Sequence, residues 1–119
     1  MPVLFHYTCE HFVPGIRAAR RLRPWRQPLL ADIALTWATD MDEPDAAALG
    51  LTMAKLRCDR TAYRLRIMTP ERFTHWPEWV ERAMPMLNPR YVSMLTSPPG
   101  QPTRWWVSEA ARVPVRWDQ

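Results

Sequence analysis

Apolar side chains alternate with polar or small ones in several stretches of the chain, and this two-residue period is typical of β-strands. In residues 3–8 the alternation places His6 and Thr8 on one face of a strand. Alternation also predicts that residues 56–58 are extended and that the last two strands pair as a hairpin across residues 109–112. The other predicted strands are residues 33–39, 61–68, 103–108 and 113–117.

Helical spacing of apolar residues, together with proline near the first turn, indicates three helices. Residues 76–87 show the pattern most clearly, with four apolar positions on one face before Met84. Residues 14–21 begin with a proline, and residues 45–49 lie between an acidic cap and Gly50. Strands at both chain ends with helices between them predict an α+β fold: a single compact domain over residues 1–119 with a mixed or mostly antiparallel sheet.

Composition narrows the class of protein. A chain of 119 residues is long enough to bury a core, and no apolar run reaches the roughly 18 residues of a membrane span. The start of the chain lacks the features of a secretory signal, so we expect a cytoplasmic protein without membrane contact. Two cysteines, Cys9 and Cys58, fit a reducing compartment better than a disulfide scaffold.

The stretch LFHYTCEH at residues 4–11 concentrates reactive side chains and allows three interpretations: a metal site, a substrate-binding strand, or a plain structural strand. Structural zinc sites use two closely spaced ligand pairs, and the spacing of the cysteines and histidines here does not supply them. We therefore expect no metal site among Cys9, His11, Cys58 and His75. The three glycines of the chain also exclude glycine-rich phosphate loops.

Charge is carried almost wholly by arginine, whose planar guanidinium suits phosphates and carboxylates. The net charge is +4 and Lys55 is the single lysine. Five arginines follow the first strand with no acid between them: Arg17, Arg20, Arg21, Arg23 and Arg26. This basic stretch fits a solvated helix face, and it equally fits a surface that binds a diphosphate or a nucleic-acid backbone beside aromatic rings.

The segment His6-Tyr7-Thr8, followed by a turn, a proline-started helix and an Arg-Leu-Arg-Pro exit, resembles the opening of ADP-ribosyltransferase-fold proteins. The resemblance implies an ADP-ribosyltransferase-like fold that uses NAD as substrate, with His6 on the NAD ribose and Glu109 stabilising an oxocarbenium-like transition state. The cofactor contacts that it implies are His6, Tyr7, Thr8, Arg17, Trp37 and Thr39.

A looser resemblance covers most of the chain and links it to short actinobacterial and actinophage proteins. It rests on the segments HYTC at 6–9, WATD at 37–40, LGLT at 49–52, CDRT at 58–61 and WWVS at 105–108. The resemblance carries no known activity.

Two hypotheses follow. The first is NAD-dependent ADP-ribosyl transfer to a nucleic-acid or protein acceptor, with His6 and Glu109 as catalytic residues. The alternative is a non-enzymatic module that binds nucleic acid or an acidic protein through exposed tryptophans and the basic surface. In both, the residues expected to contact the acidic partner are Arg20, Arg21, Arg23 and Arg26.

Overall fold

An antiparallel sheet organises the protein, for which a computed structural model describes residues 2–49 and 59–117. Within these ranges the sheet has eight strands: β1 (Phe5–Thr8), β2 (Arg21–Leu22), β3 (Trp25–Gln27), β4 (Ile33–Thr39), β5 (Tyr63–Ile67), β6 (Thr74–His75), β7 (Trp105–Ser108) and β8 (Val113–Trp117). Seven of them follow the spatial order β2-β8-β5-β1-β4-β7-β6, and β3 pairs with β4 off this path.

In the described ranges three short α-helices pack on the sheet, and each has a proline at one of its first two positions, where the missing N–H costs no hydrogen bond. The helices are α1 (Val13–Ala19), α2 (Trp76–Ala83) and α3 (Pro89–Thr96). Within the described residues, no helix has the length and apolar character needed to cross a lipid bilayer.

Two hydrophobic cores form, one on each face of the sheet. The first joins α2 and α3 to β4 and β7 through residues such as Leu35, Trp76 and Val107. The second joins the first helix to β5 and β8 through residues such as Leu65 and Val115, with Ile16 of α1 packed against them. The helices on the two faces therefore cover opposite ends of the sheet.

The α+β class and the mostly antiparallel sheet agree with the sequence prediction, but the expected terminal hairpin is wrong. β7 pairs with β4 and β6, whereas β8 pairs with β5 and β2. The reason is that β5, β1 and β4 lie between β8 and β7 in the sheet, so the two last strands cannot pair with each other.

Two other sequence predictions concern residues 45–49 and residues 56–58. The predicted helix at residues 45–49 is a turn, closed by the bond from the Leu49 amide to the Asp45 carbonyl at 3.0 Å. Gly50 and the predicted extended residues 56–58 lie outside the described ranges.

Candidate functional site

His6 lies on β1, the middle strand of the sheet order, between β5 and β4. Its Nδ1 atom is 2.7 Å from the backbone carbonyl oxygen of Trp37. Because a carbonyl oxygen only accepts hydrogen bonds, Nδ1 carries a proton and donates it. Burial lowers the pKa of His6 below its ordinary value of 6.5; the bond to Trp37 opposes this shift, and the positive charge of Arg60 adds to it. The imidazole is therefore neutral near pH 7, and its Nε2 atom can accept a further bond.

Trp37 and His6 point to opposite faces of the sheet. Phe5 of β1 is paired with Thr39 of β4, so these two side chains leave the sheet on the same face. Side chains alternate along a strand, which puts Trp37 on the face of Thr39 and His6 on the other. Trp37, one of the expected NAD contacts, is thus separated from the histidine by the sheet itself.

The Trp37 ring packs within a cluster of tryptophans in the first core. Its centroid lies 5.0 Å from that of Trp76 and 6.0 Å from that of Trp105. Trp76 in turn stacks on Trp79, with centroids 5.5 Å apart. This packing gives the half-buried Trp37 a structural role against the first core.

Glu109 lies just after β7, exposed at the mouth of a cavity of about 570 Å³ beside α2. Its Oε2 atom accepts a hydrogen bond of 3.3 Å from the indole N–H of Trp79. The residues that line this cavity include Arg72 and Arg82 but neither His6 nor Trp37. His6, Trp37 and Glu109 therefore do not converge on one cleft.

The remaining candidates for NAD contact on β1 and β4 are Tyr7, Thr8 and Thr39. They are buried, and the hydroxyls of Tyr7 and Thr39 donate hydrogen bonds to backbone carbonyl groups. The Tyr7 hydroxyl donates to the carbonyl oxygen of Met41 at 2.9 Å. The Thr39 hydroxyl donates to the carbonyl oxygen of Arg104 at 2.7 Å and accepts from the Met41 amide at 3.1 Å. Thr8 is also buried, on the face of His6.

The five arginines predicted as a basic stretch are distributed over several elements. The guanidinium of Arg17, in the last turn of α1, lies 4.8 Å from the centre of the Trp117 ring. Arg20 ends α1 in a left-handed conformation (φ 54°) and leads directly into Arg21 of β2. Exposed Arg23 follows β2, whereas Arg26 lies on β3 and donates to the carbonyl oxygen of Asp32 at 3.4 Å.

A pair of arginines outside the predicted basic stretch forms the centre of a different basic surface. Arg66 of β5 lies directly opposite Arg116 of β8 in the antiparallel register. Arg21 is paired with Pro114, which shares the face of Arg116, so all three arginine side chains leave the sheet on one side. We call Arg21, Arg66 and Arg116 the arginine face.

The arginine face has no acid to balance it within the strands that carry it. β2, β5 and β8 contain no Asp or Glu, and within the described residues neither Arg66 nor Arg116 forms an ion pair. The Nε atom of Arg21 is buried and has no hydrogen-bond partner there. α2 and α3 pack at the other end of this side of the sheet, and Arg116 is exposed.

Sequence alternation was a usable signal for this surface, because Tyr63, Leu65 and Ile67 alternate with Arg64 and Arg66 within the predicted strand at residues 61–68. It could not identify the surface, since the pairing of β5 with β8 brings together residues far apart in the chain. Arg116 of β8 has no basic neighbour within three residues in the sequence, and only the strand register brings it beside Arg66.

A second cavity, of about 540 Å³, lies between α1 and the strands β5 and β8. Apolar side chains dominate its lining, and three arginines and a tryptophan contribute to it. The lining residues are Ile16, Arg17, Arg20, Leu65, Met68, Val115, Arg116 and Trp117.

Cys9 is disulfide-bonded, whereas the two cysteines of the sequence favoured free thiols over disulfides. Sequence motifs of closely spaced cysteines could not indicate this bond, because Cys9 and Cys58 are far apart in the chain. Cys58 lies outside the described residues. In the part of the chain that the structure describes, no group of three or more His, Cys, Asp or Glu side chains is arranged to hold a metal ion.

No protein-family model, curated protein or solved structure matches this chain. We therefore infer function from the geometry of the described side chains alone.

Proposed function

We propose that the protein is a non-enzymatic module that binds nucleic acid through the arginine face. The observation that carries this proposal is the direct opposition of Arg66 and Arg116 across β5 and β8. Like charges directly opposite each other destabilise a sheet, because their Cβ atoms are about 5 Å apart. A phosphate group between two guanidinium groups would turn this repulsion into two charge-assisted contacts.

The surroundings of this pair support a polyanion as the ligand. Arg21 adds a third guanidinium on the same side. A row of cations on one side of a sheet fits a repeating phosphate backbone, and arginine binds phosphate with a planar fork.

Salt dependence tests the proposal directly. Fluorescence anisotropy of a labelled oligonucleotide, measured over a series of salt concentrations, gives the slope of log Kobs against log salt. Each neutralised phosphate accounts for about 0.7 of this slope on a single strand and about 0.9 on a duplex. The double variant Arg66→Gln/Arg116→Gln should therefore bind weakly and reduce the slope by about 1.4 on a single strand.

The double variant Arg72→Gln/Arg90→Gln is the matched control, because it removes the same charge from exposed positions outside the three strands that carry the arginine face. It should keep the slope of the unmodified protein. Salt-independent binding, or an equal loss in both double variants, would rule out the arginine face as the interface.

NAD-dependent ADP-ribosyl transfer, with an ADP-ribosyltransferase-like fold, is the second candidate, and a single observation favours it. The neutral imidazole of His6 is held by the carbonyl of Trp37 and leaves Nε2 able to accept a bond from a sugar hydroxyl. Trp37 and Glu109 do not share a cleft with His6 and therefore do not support ADP-ribosyl transfer. Release of nicotinamide from NAD in the presence of nucleic acid, lost in His6→Ala, would favour transfer over binding alone.

A further inference from the structure

We infer that the bound nucleic acid is single-stranded and that one of its bases enters the cavity between α1 and the β5 and β8 strands, against Trp117. This inference rests on the proposed function and assigns the substrate class of the same surface. The cavity volume of about 540 Å³ lies within the range of about 300–1,000 Å³ found for small-molecule sites. Its apolar lining suits the flat, largely uncharged body of a base.

The rim of the cavity offers the planar surfaces on which bases stack. Trp117 is 36% exposed, with the guanidinium of Arg17 lying 4.8 Å from its ring centre. Tyr63 supports the indole from the side, edge-on at 6.2 Å between ring centroids. Indole and guanidinium planes both stack on bases without sequence preference, and the arginine adds attraction for a flanking phosphate.

The cavity connects to the arginine face through β8. Arg116 and Trp117 are neighbours in this strand, so their side chains leave on opposite faces, and Arg116 contributes to the cavity lining as well. Within the described residues β2 pairs with β8 at Val113 and Pro114, and the Val115 amide bonds to the Arg20 carbonyl at 3.2 Å, so the last two residues of β8 lie at the rim of the sheet. A flexible chain can therefore pass from the arginines around this rim to the cavity.

A duplex cannot use the two surfaces in this way. Its bases are paired and stacked, and extracting one costs a few kcal/mol. Single strands present their bases without this cost, which is why sequence-tolerant proteins combine a basic track with aromatic stacking platforms. None of the described residues that line the cavity is acidic, so nothing there repels a phosphate next to the base.

The test compares two labelled single strands of equal length, one of thymidines and one abasic throughout. Both carry the same phosphates, so only contacts to bases distinguish them. The unmodified protein should bind the thymidine strand about tenfold more tightly, the effect expected for one stacked base. Trp117→Ala should reduce this preference to near one while keeping the salt slope, because the arginine face is intact.

Trp25→Ala is the control, because Trp25 is the most exposed tryptophan (71%) and lies on β3, away from the cavity. It should retain the full preference for thymidine. Trp117→Leu keeps an apolar side chain but no ring, and it should lose the preference as well, even if the alanine variant folds poorly.

Equal binding of both strands by the unmodified protein would overturn the inference, as would a preference that survives in Trp117→Leu or disappears in Trp25→Ala. These results differ from failure of the proposed function, which would show as salt-independent binding or no binding of either strand.

Discussion

At the scale of single residues, two threonines on β4 have opposite energetic roles. The Thr39 hydroxyl bonds to both the Arg104 carbonyl and the Met41 amide. Thr36 is 3% exposed, and its hydroxyl oxygen has no hydrogen-bond partner in the described structure. A paired hydroxyl stabilises the fold modestly, whereas an unpaired buried one only loses its contacts with water.

Replacing each threonine with valine should separate these roles. Thr39→Val leaves two backbone groups unpaired, and we expect a loss of about 1–3 kcal/mol in the free energy of unfolding. Thr36→Val keeps the shape, removes the unpaired hydroxyl and should leave stability unchanged or higher. Urea denaturation of the two variants measures both effects, and a larger loss in Thr36→Val would contradict the assignment.

His6 should make the stability of the fold sensitive to acid. Its pKa is lowered in the folded state below the ordinary 6.5, mainly by burial. Below pH 6.5 the unfolded chain therefore binds a proton that the folded chain does not, so this contribution is present above 6.5 and is lost as the pH falls toward the folded pKa.

The variant His6→Asn keeps an N–H group for the Trp37 carbonyl but does not titrate. Its unfolding free energy, measured in urea from about pH 7.5 to about pH 5, should fall less than that of the unmodified protein. Parallel curves for the two proteins would show that another group causes the acid sensitivity.

At the scale of elements, α2 is fixed to the sheet by tryptophans. Trp76 is 2% exposed and contacts the rings of Trp37, Trp79 and Trp105.

Trp76→Ala should lower the free energy of unfolding by about 3–5 kcal/mol, because it removes a large ring from a packed core. Trp25→Ala should change stability by less than about 0.5 kcal/mol. Thermal melting followed by circular dichroism checks both, and similar shifts would mean that the cluster is not the anchor.

Long elements were predictable, since their pattern extends over several turns or alternations. β4 and β8 have the predicted bounds, and α2 begins at the predicted residue. α3 was missed, although the Asn88 side chain accepts a bond from the Arg90 amide at 3.0 Å and Pro89 opens the helix, both ordinary start signals. β2 and β6 have two residues each, too few to show any period.

At the scale of the whole molecule, strand order decided which candidate site residues meet. Alternation correctly placed His6 with Thr8 on one face, but it carries no information on which face of another strand will lie beside them. The register of β1 with β4 sends Trp37 to the other side, and that of β5 with β8 brings Arg66 to Arg116. Pairing between distant segments is a property of the packed sheet, so the basic surface could not be predicted from the sequence.

The facing arginines on β5 and β8 also bear on how long the protein persists when it has nothing to bind. Repulsion between them raises the free energy of the vacant fold, and a ligand that bridges them stabilises the folded state by mass action. On the proposed function, occupancy and resistance to proteolysis rise together, since degradation acts on transiently unfolded chains. A vacant population would be cleared faster than an occupied one, and the abundance of the protein would follow that of its nucleic acid.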